Sequence, residues 1–166
     1  MKKISKNNTI LLATTSLERT WGRDEKILFL GEWCKLYHRK DIWKGRNSQT
    51  LGDPWSDRDR RFDAYNYLEK VYKKAMVALA NALNKKHNLN YSVRYWMILC
   101  GPWLRLFINS TYHYWECISD LADTNKDFET MEIKQDSIRQ VPIDMVDFEN
   151  KMVSDYWVHY IILLAI

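Results

Sequence analysis

A helix-rich α/β fold built on a short parallel sheet is what this sequence predicts, and three observations predict it. Two apolar runs, Thr9 to Leu12 and Ile27 to Leu30, show no polar alternation, as strands covered on both faces do. Each ends abruptly in polar residues, Ala13-Thr14-Thr15-Ser16 after the first and Gly31-Glu32-Trp33-Cys34 after the second. Downstream, apolar residues recur at three- and four-residue spacing, the period of amphipathic helices.

Taken in order, the first two strands deliver polar tips where ligands of open α/β sheets bind, just beyond the carboxyl ends. Lys35 to Leu36 begins a short helix, and Asn47 to Asp57, with Gly52 and Pro54, reads as a loop. Asp59 or Asp63 caps a helix from about Phe62 to Lys86, in which Leu68, Tyr72, Ala75, Leu79 and Leu83 form one face. Ser92 caps a second helix from Val93 to Cys100. The pair Gly101-Pro102 kinks or restarts it before Trp103 to Asp120 continues. Asp123 to Asp136 is polar, with a short strand within Asp127 to Ile133. Pro142 and Asp144 open a last helix, amphipathic through Met145, Phe148 and Met152, that runs into an apolar terminus. The layout is two strands followed by three long helices.

With 166 residues, 46% of them hydrophobic, the chain is one domain, residues 1–166, able to bury an ordinary core. Its net charge of +4 arises from 25 basic and 21 acidic residues, a mixture rather than a cationic block. The dense stretch is Lys35 to Arg46, where Lys35, His38, Arg39, Lys40, Lys44 and Arg46 interleave with Tyr37 and Trp43. It is either a solvated face or a surface for phosphate or an anionic membrane. Eight Trp and ten Tyr fill cores or stack on sugar rings and bases.

Cys34, Cys100 and Cys117 form no C-x-x-C pair, and the four His are too scattered for a zinc signature, so no metal is expected and the setting is reduced and cytosolic. The amino terminus, Met1 to Asn8, is basic without an apolar h-region, which argues against export. The run Tyr160 to Ile166 has no cap or polar tail; it reads as the front piece of a longer protein or as a terminal helix docked on its own core.

No Gly-rich phosphate loop, G-x-S-x-G elbow or H-E-x-x-H occurs, so this stretch is not expected to bind a nucleotide cofactor by itself. What remains is a set of ionisable residues at loops. Glu32, beside Trp33 in a partly dry cleft, suits general-base work; otherwise it caps the following turn or pairs with Arg39 or Lys35. Glu18 and Arg19, after Thr14 and Thr15, bind a hydroxylated substrate or pair with neighbours. Asp57-Arg58-Asp59-Arg60-Arg61 caps a helix or grips an anionic group. Arg94-Tyr95-Trp96 and Gly101-Pro102-Trp103 read as aromatic packing around a backbone bend.

The segments Ala13 to Glu18, Thr20-Trp21-Gly22, Ile27 to Cys34, Asp57-Arg58-Asp59, Tyr65 to Leu68, Arg94-Tyr95-Trp96 and Gly101 to Leu104 carry a resemblance. Over residues 9 to 120 the chain resembles the amino-terminal part of a glycosyltransferase-like transferase family of bacterial surface-carbohydrate clusters. The resemblance implies a Rossmann-like half of a two-domain fold, serving as the acceptor-side part of a cytoplasmic glycosyltransferase of O-antigen or capsule synthesis, peripheral to the inner membrane. The nucleotide-sugar donor and the missing carboxyl-terminal domain are then its partners, together with a sugar acceptor. Within that reading Glu32 and Glu18 are the catalytic candidates, and Thr14, Thr15, Arg19, Trp21, Trp33, Arg58 and Arg94 the substrate-binding ones. The alternative is a non-catalytic scaffold module whose basic aromatic stretch docks on a partner or an anionic membrane. Aromatic and basic residues without a recognisable module do not predict nucleic-acid binding.

Overall fold

Strand β1 (Ile10–Ala13) is buried along most of its length and lies beside β2 (Ile27–Phe29) in parallel register, Leu12 opposite Leu28. The computed structural model describes residues 10–124, 127–133 and 141–165; the expectations for Met1 to Asn8, Thr9 and Ile166 fall outside them. Two further parallel strands complete the sheet in the order β3-β2-β1-β4, with β3 at Ser48–Thr50 and β4 at Phe128–Thr130. Strands 1 to 3 step one way across the sheet and β4 returns to the other side of β1. The order thus reverses between β1 and β4, as in the first half of a doubly wound fold. The α/β class and the parallel sheet follow the sequence reading, as does the strand within Asp127 to Ile133.

Strand β3 corrects the expected loop from Asn47 to Asp57. Ser-Gln-Thr lacks an apolar signature because this edge strand is covered less than its neighbours, so nothing in its composition separates it from a turn. Between β2 and β3 the chain forms 3₁₀ turns at Glu32–Cys34 and Tyr37–Arg39 and a single helical turn α1 (Lys40–Trp43), in place of a helix from Lys35.

Helix α2 (Arg58–His87) begins earlier than expected. Its cap is Asp57, whose carboxylate accepts from the amides of Asp59 and Arg60 at 2.8 and 2.9 Å; Asp59 lies inside the first turn. It ends at Asn88, in the left-handed region at φ 52°. Ser92 does cap α3 (Val93–Ala122), its hydroxyl accepting from the Tyr95 amide at 3.2 Å. Helix α3 then runs unbroken through Pro102. Proline removes one amide and crowds the carbonyl four residues back. Here Pro102 is exposed, on the side where that carbonyl can be hydrated.

The described residues fall into two compact units, one drawn from those before Pro54 and from Tyr114 onward, the other Pro54–His113. In the second, α2 and the early turns of α3 pack through Tyr72, Met76, Ala80, Trp96 and Leu104. Gly101 permits this approach, since a Cβ there would stand 2.6 Å from the Tyr72 hydroxyl. Asn84 ties the connecting turn to both helices, accepting from the Tyr91 amide and Trp96 Nε1 and donating to the Tyr91 carbonyl.

The sheet belongs to the first unit, with Ile27, Phe29, Leu30 and Ala13 at most 1% exposed. The expected last helix is two, α4 (Met145–Met152) and α5 (Asp155–Ala165), separated at Val153 and Ser154. Asp144 caps the first through the Asp147 amide. Phe148 packs edge-on against Trp157, ring centroids 5.8 Å apart.

Replacing Asp57 with Ala should lower the melting temperature by several degrees in a circular-dichroism melt, and Asp63→Ala should change it less. Equal effects of the two would contradict Asp57 as the cap.

Candidate functional site

Beyond Ala13 the chain leaves the sheet while still inside the protein, so the carbonyls of Thr14 and Thr15 must find donors that the sheet no longer supplies. Thr14 and Thr15 are 3% and 0% exposed. Three side chains supply donors along this stretch. Cys34 donates its thiol to the Ala13 carbonyl at 3.3 Å, Trp33 donates Nε1 to the Thr14 carbonyl at 3.0 Å, and Trp21 donates Nε1 to the Thr15 carbonyl at 3.2 Å. The Leu30 amide, one residue past β2, adds a bond to the Ala13 carbonyl at 2.9 Å. Two 3₁₀ turns, Glu18–Thr20 and Glu32–Cys34, carry these donors into place.

Helix α5 fixes the same loop through side chains. Asp155, in its first turn, accepts from the Ser16 amide at 2.7 Å and from the Ser16 hydroxyl at 2.8 Å. His159, one turn on and 3% exposed, is 2.7 Å through Nδ1 from Thr14 Oγ1. Its Nε2 accepts from the Ile133 amide at 3.4 Å. A ring nitrogen that accepts carries no hydrogen, so the hydrogen sits on Nδ1 and is donated to Thr14. Burial holds the His159 pKa below its ordinary 6.5, against a smaller opposing effect of Glu132. The imidazole is therefore a neutral strut.

These contacts relocate four of the residues expected to meet a substrate. Thr14 and Thr15 are sealed within the loop and shape it. Trp21, 2% exposed and edge-on to Phe29 at 5.0 Å, has no free face for a sugar ring. Trp33 is half-buried, its ring edge-on to Tyr114 at 5.7 Å. Burial pushes the Cys34 thiol and the Tyr114 hydroxyl each up to about 12, so neither supplies an anionic nucleophile near neutrality.

The ionisable candidates lie outside this frame. Glu18 receives Arg39 Nε and Nη2 on its two oxygens, both at 2.7 Å, and this pairing holds its carboxyl below the usual range. Arg19 donates to the Tyr156 hydroxyl at 2.6 Å and lies over its ring. Glu32 is 79% exposed at its side chain and bonded through Oε1 to Lys35 at 2.8 Å. That corrects the dry cleft expected for it, since the 3₁₀ turn that buries Cys34 aims Glu32 outward; the pairing with Lys35 is one of the alternatives its neighbours offered. Glu18, Arg19 and Glu32 thus fringe one rigid loop system. Arg58 and Arg94, exposed in the first turns of α2 and α3, belong to the other unit.

Three of the six basic residues from Lys35 to Arg46 bind within the loop system. Besides Lys35 and Arg39, Arg46 donates to the carbonyls of Trp21 and Gly22 at 3.1 and 2.8 Å. Gly22 stands at φ +66°, where a side chain would be strained and would meet Glu25. Among the described residues no three His, Cys, Asp or Glu side chains converge to hold a metal ion, and no helix is long and apolar enough to cross a membrane.

Asp155, Tyr156 and His159 escaped the sequence reading. They lie some 140 residues from their partners, inside an apolar helix that gives no local sign of them. A single indicator was present: two ionisable residues four apart in an otherwise apolar run.

Compared with known proteins, the chain matches over residues 10–166 the family model described as LIC12162 family transferase. No curated protein and no solved structure matches it.

Two outcomes follow from the loop. Because the His159 pKa is lowered on folding, its contribution is complete above about pH 6.5 and is lost as the pH falls below that, by at most about 1.4 kcal/mol per pH unit. Urea titrations at pH 7.5 and 5.5 should therefore show a smaller acid loss for His159→Gln than for the unaltered protein. Asp155→Asn, which weakens two bonds to an ionised acceptor, should destabilise the fold by about 1–3 kcal/mol in the same assay.

Proposed function

Since the chain belongs to the LIC12162 family of transferases, we propose that it forms the acceptor-side part of a glycosyltransferase of bacterial surface-polysaccharide synthesis, O-antigen or capsule, working at the cytoplasmic face with a nucleotide-sugar donor. The observation that carries this reading is the delivery of Glu18, Arg19 and Glu32 just beyond the carboxyl ends of the two central parallel strands, on loops held rigid from beneath. Open α/β sheets bind ligands at such ends.

Transfer of a sugar requires a base for the acceptor hydroxyl and a cation for the negative charge of the donor phosphates or of an acidic substituent. Glu32 is our base. Its contact with Lys35 is a single bond and its own side chain is exposed, so the carboxylate can turn to a substrate hydroxyl at little cost. Glu18 fits the role less well, because a carboxylate held ionised by two bonds from Arg39 is a weaker proton acceptor. Its work in this reading is to keep Arg39 beside the loop. Arg19, exposed and steadied by Tyr156, is the cation presented to an anionic group. Rigidity matters because a base contributes only when its oxygen stays within hydrogen-bond reach of the hydroxyl.

In the full-length protein, Glu32→Gln should lower kcat for sugar transfer by about 10²–10⁴-fold with KM little changed, the usual loss on removing a general base. Undiminished transfer at saturating substrate would remove Glu32 from the chemistry. Arg19→Ala should act instead on KM for the charged substrate, measured in the same steady-state assay.

A further inference from the structure

Helix α3 is apolar on both of its sides. One side holds Trp96, Cys100 and Leu104 in the core shared with α2. The other, at the same helical spacing, presents Tyr95, Ile98, Leu99 and Leu106 to solvent, with Ile98 70% and Leu99 58% exposed. A helix that covers a core ordinarily carries polar residues there. Exposed apolar side chains are commonplace when scattered singly, but these adjoin on successive turns and continue into Leu89 and Tyr91 of the connecting turn. The Tyr91 and Tyr95 rings lie 4.2 Å apart, centroid to centroid. All of these residues belong to the unit Pro54–His113.

The charge of the same hairpin is one-sided. Between Glu69 and Glu116 the sequence has no acidic residue and seven Lys and Arg. Three of them, Lys85, Lys86 and Arg94, are exposed at the hairpin tip, in the last turn of α2 and the first of α3. The bonds from Asn84 to Tyr91 and Trp96 hold that tip in one shape, so its side chains are presented without a large ordering cost.

This combination restricts the occupant. A second copy seated tip to tip would bring three cations from each side together with no carboxylate of the tip between them. A nucleic acid would meet the cations and stack on the tyrosines, yet leave Ile98 and Leu99 facing phosphate or water. An anionic bilayer satisfies every group at once. Its headgroups attract Lys and Arg, tyrosine rings settle at headgroup level, and aliphatic side chains enter the acyl boundary. The first two turns of α3 measure about 10 Å, the depth to which interfacial helices sink.

We propose that the tip of the α2–α3 hairpin docks on an anionic lipid surface. Ile98 and Leu99 enter the acyl boundary, and Lys85, Lys86 and Arg94 meet the headgroups. The docking is peripheral, since α3 is not apolar enough to cross a membrane. It does not rest on the glycosyl-transfer reading, and it assigns the membrane contact to the helical hairpin instead of the basic stretch from Lys35 to Arg46.

The test is co-sedimentation of this chain, and of the full-length protein, with vesicles of phosphatidylcholine alone and of phosphatidylcholine mixed equally with phosphatidylglycerol. Both should bind the mixed vesicles far better than the neutral ones, and less as salt rises. Lys85→Gln with Lys86→Gln should weaken binding by about 10- to 30-fold, since each cation near such a surface contributes about fivefold. Ile98→Ser with Leu99→Ser should weaken it by about tenfold or more. All four side chains are exposed, so circular-dichroism melts of these variants should hardly move. Lys40→Gln with Lys44→Gln, an equal loss of charge in the other basic stretch, should change binding little. Absence of binding, equal binding to neutral vesicles, or equal weakening by the Lys40 and Lys44 pair would overturn the proposal. So would loss of binding in the full-length protein, where another part of the chain would then cover α3. Self-association abolished by the Ile98 and Leu99 pair, or tip-dependent binding of a single-stranded oligonucleotide, in place of vesicle binding would overturn it as well. Glu32→Gln should bind vesicles like the unaltered protein, so failure of the docking and failure of the base are read separately.

Discussion

Two consecutive carbonyls past the end of β1, those of Thr14 and Thr15, need donors in a dry place, the Ala13 carbonyl before them takes a thiol besides its backbone amide, and much of the local architecture follows from that need. A buried unpaired carbonyl carries a desolvation penalty comparable to a lost hydrogen bond, and two in succession would destabilise the loop. The chain answers with a thiol and two indoles, from Cys34, Trp33 and Trp21, each brought in on a 3₁₀ turn. Those turns set where Glu18, Arg19 and Glu32 emerge. The exposed chemistry is positioned by a buried accounting of hydrogen bonds.

Helix α5 closes the arrangement from the other end of the sequence. Asp155 and His159 bind the loop that the indoles support, so that the Ser16 amide and the Thr14 hydroxyl are held by residues some 140 positions away. Long-range contacts of this kind raise the entropy of ordering the chain, and they hold once the apolar face of α5 is buried, with Trp157, Val158, Ile161 and Ile162 all under 9% exposed. Neutral His159 suits that setting, because an imidazolium would present a second N–H to the Ile133 amide.

How much of this was legible in the sequence depends on the scale of the interaction. The two central strands showed themselves because double-sided cover demands unbroken apolar runs, and α2 because Leu68, Tyr72, Ala75, Leu79 and Leu83 keep one period. Strand β3 did not, since an edge strand needs no apolar signature. Asp57 stood in the capping cluster but could not be singled out, because Asp59 and Asp63 offer the same chemistry, and the bonds from the Asp59 and Arg60 amides separate them. The polar tips of β1 and β2 do lead into the two 3₁₀ turns that carry Glu18, Arg19 and Glu32. Their side chains were harder to read, because an indole can stack on a ligand or cap a carbonyl and the sequence is the same in both cases. Trp21 and Trp33 took the second role, and Glu32 came to lie in water where a dry cleft was expected.

The division between buried frame and exposed fringe also decides what the basic stretch from Lys35 to Arg46 can do. Arg39 is committed to Glu18, Lys35 to Glu32 and the Trp43 ring, and Arg46 to two backbone carbonyls. Each of these bonds must break before the same cation can meet a phosphate or a membrane. Arg46 would leave the turn at Gly22 unsupported, and Arg39 would release Glu18. Three of the six basic residues in the stretch that looks most like a docking surface in composition therefore also serve as struts for the loops. Arg19 is not bound in this way: its partner Tyr156 is a neutral hydroxyl and ring, so its charge stays available to a ligand while its direction is fixed. A cation held by a neutral neighbour is oriented without being neutralised, and that makes position 19 a better place than the basic stretch to receive an anion.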